Sequence, residues 1–188
     1  ETGGNGIKTL QDLVNKLQKY NINTSTWNEE HKNKSVNQLF KEIKNGDSII
    51  RDENGTIHRE VLVANALILS DDNQYKLVEK AHLNINKNIV KERNNEVLSE
   101  KMDASETVDD AIIRGVKEEL GEKYISSIEF LNGESKENIR HVEKDSYSYP
   151  GLKSRYSFSQ KTIKIPLLTQ DFPPPSDFVT EDKNSDGS

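Results

Sequence analysis

EKMDASETVDDAIIRGVKEELG, residues 100 to 121, holds one amphipathic helix near the middle of the chain. Thr107 reads as its N-cap, and Asp110 three residues later imitates the acidic partner of a capping box. Asp109 and Asp110 suit the positive end of the helix dipole. At about 100° per residue, Val108, Ala111, Ile112, Gly115, Val116 and Glu119 crowd one side. Glu119 therefore lies inside an apolar stripe, where an ionised carboxylate is costly without a cation or donors. Glu118 stands about a quarter-turn away, at the edge of that face. Adjacent carboxylates at such an edge can offer oxygens to a hard divalent ion that also binds substrate phosphates.

The same stretch resembles the Nudix box, G-x5-E-x7-R-E-U-x-E-E-x-G-U with U apolar. Glu106, Arg114, Val116, Glu118, Glu119 and Gly121 stand at matching positions. The resemblance implies an α+β or α/β fold, a Nudix-like mixed β-sheet sandwich carrying the box helix. It implies Mg2+ or Mn2+ at Glu118 and Glu119, with the backbone carbonyl of Glu100 near the metal. Arg114 would orient Glu106 through an ion pair, and Gly121 would let the chain leave the helix. The implied ligand is a nucleoside-diphosphate-type small molecule; a protein partner is the other expectation.

Three positions depart from the pattern. Glu100 replaces the opening Gly, Gly115 the Glu after Arg, and Glu122 the closing apolar residue. Many members of the family place a metal-binding or water-activating Glu at the position of Gly115. Glycine has no carboxylate to offer there and costs a helix about 1 kcal/mol relative to Ala. Hydrolysis then needs another base, with Glu96, Glu100 and Glu143 as the acids to consider. The expectation is a divergent Nudix-like domain that binds a nucleoside-diphosphate-linked or other phosphorylated ligand, with hydrolysis weak or absent. An active Mg-dependent hydrolase is one rival, and a non-catalytic protein-interaction or structural module is the other.

On the N-terminal side, Ile7, Leu10, Leu13, Val14 and Leu17 recur at helical spacing. Ser35 reads as the cap of a second helix with Val36, Leu39, Phe40 and Ile43 on one face. Residues 1–46 thus form a two-helix addition to a domain spanning 47–170. Asn54-Gly55 marks a hairpin, and Thr56 to Ser70 a long, mostly buried strand. After Asp71-Asp72-Asn73, QYKLVEKAHL reads as its half-exposed partner, and IVKERNNEVL follows a further turn. Beyond the helix, Ile125 to Phe130, Ile139 to Ser148 and Tyr156 to Leu168 read as strands. Residues 171–188, rich in Pro and then in acids, read as a flexible tail.

SYPGLKSRY, Ser148 to Tyr156, admits two readings. Lys153 and Arg155 can meet phosphates while Tyr149 or Tyr156 stacks on a base. Alternatively, the segment is a hairpin with aromatic strand ends.

Composition narrows the field. A net charge of -6 and a pI near 5.3 oppose a nucleic-acid backbone as partner. With 32% hydrophobic residues, one modest core is affordable. The absence of Cys excludes disulfides, thiolate metal sites and a Cys nucleophile. His31, His58, His82 and His141 show no metal-ligand spacing. No apolar run reaches membrane-spanning length and no leader-like h-region opens the chain. A soluble, by default cytoplasmic protein is expected, with secretion left open.

Overall fold

Helix caps and alternating burial set the elements of the computed structural model, which describes residues 6–131 and 138–182. In chain order these are α1 (Leu10–Lys19), α2 (Val36–Lys44), β1 (Ile49–Glu53), β2 (Thr56–Leu69), β3 (Glu79–Asn84), β4 (Ile89–Asn95) and β5 (Leu98–Met102). They continue with α3 (Val108–Glu119), a 3-10 helix (Glu122–Ser127), β6 (Glu129–Phe130), β7 (Asn138–Asp145), β8 (Lys153–Lys164) and α4 (Pro166–Asp171). Among the described residues, a six-stranded sheet follows the order β1-β2-β8-β6, with β5 on β2 and β7 on β8, and β3-β4 form a separate pair. The class is α+β. No helix among the described residues is long and apolar enough to cross a membrane.

The chain forms two compact units, and neither is one continuous segment. Among the described residues, the first takes 6–63, 101–106 and 140–158; the second takes 64–100, 107–131, 138–139 and 159–182. Strands β2 and β8 supply residues to both. The acidic end of the expected tail, from residue 183 onward, lies outside the described residues.

In the first unit, α2 begins at the cap read from the sequence, Ser35, and α1 at Thr9, which the spacing of its apolar residues did not mark. Thr9 and Ser35 each complete a reciprocal capping box, with Asp12 and Gln38 respectively. Asn54 and Gly55, at φ of 53° and 78°, turn β1 into β2, and Glu53 pairs with Thr56. Positive φ at both central positions suits a tight hairpin turn matched to the strand twist. Leu13 and Leu17 of α1, Leu39 of α2, Ile50 and Ile57 of the hairpin, and Trp27, Tyr149 and Leu152 form one buried cluster. Here SYPGLKSRY proves to be a fastening. The Trp27 indole donates to the Pro150 carbonyl at 2.8 Å, and the Lys34 amide donates to the Ser148 carbonyl at 3.0 Å. Tyr149 packs on Trp27 with ring centroids 5.1 Å apart and is fully buried, so it has no face left for a base.

In the second unit, Val108, Ala111, Ile112, Gly115 and Val116 of α3 are buried, matching the predicted stripe. Thr107 accepts from the Asp110 amide at 3.1 Å, while Asp109 binds the Lys161 ammonium. Thr107→Ala is expected to lower stability by about 1 kcal/mol, measured by urea denaturation, with Thr107→Asp close to wild type.

Three strand expectations are corrected in this unit. QYKLVEKAHL does not run as the partner of β2: contact there is one bridge, Leu69 to Lys76, and β3 pairs antiparallel with β4. The Asp72 carboxylate diverts the chain by accepting from the Ser70 hydroxyl and the Gln74 amide. Of Ile125 to Phe130 only Glu129 and Phe130 form a strand, β6; the first half belongs to the 3-10 helix, because Gly121 at φ 124° turns the chain and Tyr124 is then buried with its hydroxyl on Asp171 at 2.7 Å. β8 stops at Lys164 because Pro166, lacking an amide donor, opens α4.

Candidate functional site: carboxylates around the third helix

The residues on α3 come together with Glu100 of β5 within the second unit. Arg114 stands between two acids, its Nη1 3.2 Å from Glu100 Oε2 and 3.9 Å from Glu118 Oε2. Glu100 and Glu118 are largely covered, with side chains 13% and 20% exposed. Burial pushes the Glu100 carboxyl up to about 7. Arg114 opposes that rise, and the negative charges of Glu118 and Asp182 add to it. Glu119 is also pushed up to about 7, first by burial, then by the charges of Glu100, Glu79 and Asp182, against the pull of Arg93. Glu100 and Glu119 are thus both raised by burial together with like charge.

Gly115 explains how Glu100 reaches the helix. A Cβ at position 115 would lie 2.5 Å from Glu100 Cγ, 2.9 Å from Glu100 Oε1 and 2.9 Å from Leu98 Cδ2. The glycine is the recess in which the Glu100 side chain lies.

Glu106 belongs to the first unit, where its carboxylate accepts from the Asp103 amide at 3.2 Å and closes the turn before the helix. Lys153, Arg155 and Tyr156 also lie in the first unit. Lys153 binds Asp145, and Arg155 Nε lies 4.0 Å from Glu143 Oε1. Tyr156 stacks on Phe158 and carries Lys144 above its ring at 4.7 Å. Both basic residues therefore face carboxylates of β7.

Sequence reasoning did not single out Glu79, Arg93, Thr180 or Asp182. Glu79 and Arg93 pair across β3 and β4 at 3.5 Å, and both act on the Glu119 charge. Thr180 Oγ1 donates to the Glu119 carbonyl at 2.6 Å, which holds that part of the C-terminal segment at the end of α3. Their separations from Glu119 along the chain follow no periodicity, so no sequence signal marked them.

The donor set suits a hard divalent cation in kind: carboxylate oxygens, two of them destabilised as anions. Among the described residues no three His, Asp or Glu side chains converge into a ready-made cage. Mg2+ normally takes one or two carboxylates and completes its shell with water and substrate phosphate, so the donors fit that arrangement. The class defined by fold is an α+β protein with an acidic, arginine-bridged helix. No family model and no curated protein matches the chain.

Proposed function

We propose that this protein is a divergent Nudix-like domain that binds a nucleoside-diphosphate-linked or similar phosphorylated ligand together with Mg2+ or Mn2+, with slow or absent hydrolysis. The observation carrying this reading is the covered acidic cluster on α3, where Arg114 stands 3.2 Å from Glu100 and 3.9 Å from Glu118, while burial and like charge push the neighbouring Glu119 carboxyl up. Anions placed against their own electrostatic preference are relieved by a cation. Glu118 and Glu119 would hold the metal, with Glu100 beside them. When bound, the cation supplies positive charge against phosphate oxygens. Arg114 fixes Glu100 and Glu118 relative to each other. The same ion pair restrains Glu100 from acting as a free base, which supports slow or absent hydrolysis.

The test is a panel of dinucleotides and nucleotide sugars with Mg2+ and Mn2+, measured by calorimetry and product analysis, alongside Glu119→Gln. Saturable, metal-dependent binding is expected for at least one compound, with affinity reduced about tenfold or more in the variant. Metal-independent binding, or binding untouched by Glu119→Gln, would discard the reading. Rapid metal-dependent turnover would instead favour the active hydrolase. A folded protein that binds nothing in the panel would leave a protein-interaction role.

A further inference from the structure

We propose that the C-terminal segment from Phe172 to Asp182 is a releasable strap, fastened across the end of α3, whose opening controls access to Glu118 and Glu119. As regulation of ligand binding this rests on the reading above; as a moving cover it does not, and its test needs no ligand.

Three fastenings hold the segment, and all lie in the second unit. Phe178 folds back onto Phe172, with ring centroids 4.1 Å apart and planes 7° from parallel. The Asp177 carboxylate meets the Lys80 ammonium of β3 at 2.9 Å. Thr180 donates its hydroxyl to the Glu119 carbonyl at 2.6 Å, in the last turn of α3, where carbonyls lack partners within the helix. From there the chain carries Asp182 to where its charge acts on both Glu100 and Glu119. The strap therefore passes beside the acids of the candidate site.

The same contacts make the strap separable from the fold beneath it. No residue from Pro173 to Asp182 belongs to a helix or strand, so no ladder of backbone hydrogen bonds ties it down. The Lys80 and Asp177 side chains are 71% and 81% exposed, and water screens such a pair. Val179 is 79% exposed and buries little apolar surface. Asp182 brings negative charge towards acids that are already covered, which opposes closure. The stacked rings and the Thr180 hydrogen bond are left to decide whether the strap stays down. A segment held by so few buried contacts opens locally well before the fold does.

The experiment uses the full chain and labels carboxylates with a water-soluble carbodiimide and glycine ethyl ester, read residue by residue by peptide mass spectrometry. Backbone hydrogen exchange follows residues 177–182 in the same samples. The variants are Thr180→Val, which keeps the shape and removes the donor, and Phe178→Ala, which removes the ring stack. In either variant Glu118 and Glu119 should label about fivefold faster, the change that loss of one hydrogen bond of ordinary strength produces. Exchange at 177–182 should quicken in parallel. Asp12, on α1 in the other unit, should label at the wild-type rate, and the melting temperature should hold. Faster exchange with unchanged labelling of Glu118 and Glu119 would overturn the proposal, because the strap would then open without uncovering them. Wild-type exchange at 177–182 as slow as that of α3 would overturn it too, because the segment would be a fixed part of the fold. Labelling as expected in a protein that binds nothing from the nucleotide panel would remove the ligand reading and leave the strap standing.

Discussion

Tyr149→Ala is expected to lower the unfolding free energy by about 3 to 5 kcal/mol, whereas Tyr149→Phe leaves it unchanged or raises it. The ring is fully buried between Trp27 and the Arg59 guanidinium, whose carbon lies 5.2 Å from the ring centroid. Truncation would open a cavity in the cluster that joins α1, α2 and the β1-β2 hairpin. The hydroxyl is sealed beside Glu42 without a hydrogen bond of good geometry, so its removal deletes an unsatisfied polar group. Burial, reinforced by the negative charge of Glu42, raises the phenol above its ordinary value and keeps it neutral. Urea denaturation of the two variants separates anchoring from ligand stacking. Ligand affinity lost in a stable Tyr149→Phe protein would contradict the anchoring role.

Glu42→Ala should cost about 3 kcal/mol at pH 7, because it strands a buried cation. Glu42 pairs with the Lys34 ammonium at 2.6 Å, accepts from the Ser48 hydroxyl at 3.0 Å, and lies 3.9 Å from Arg59. Arg59 is only 6% exposed in its side chain and has few alternatives in water. Burial alone would raise the Glu42 carboxyl; the hydrogen bond and charge of Lys34, helped by Ser48 and Arg59, outweigh it and hold the group below 4.5. A folded value below the unfolded one stabilises the protein above about pH 4.5 and loses that contribution as pH falls through the folded value. Urea midpoints for wild type and Glu42→Gln should therefore converge below pH 4.5. A gap that stays constant from pH 7 to pH 3 would show that the charge is not what matters.

Much of the local structure was legible because it depends on residues close in sequence. Ser35 and Thr107 cap the helices they precede, since a side-chain oxygen satisfies an amide three residues away. Asn54-Gly55 turns as its permitted positive φ requires. The buried stripe of α3 follows from its period of 3.6 residues.

What escaped the sequence depends on groups far apart. A short apolar run such as Ile125 to Phe130 does not reveal that Tyr124 will find Asp171 and wind the chain into a 3-10 helix. The motif at Ser148 admits a ligand-binding reading beside the hairpin one; burial of Tyr149 under Trp27, over a hundred positions earlier, places it in the core. In the candidate site, the sequence supplied Arg114, Glu118 and Glu119 on one helix, and made Glu100 and Gly115 look like two separate losses. Tertiary packing brought β5 against α3 so that one residue's missing side chain became the other's space. Spacing along a helix can be counted from the residues, whereas the volume shared by a strand and a helix exists only once both are in place.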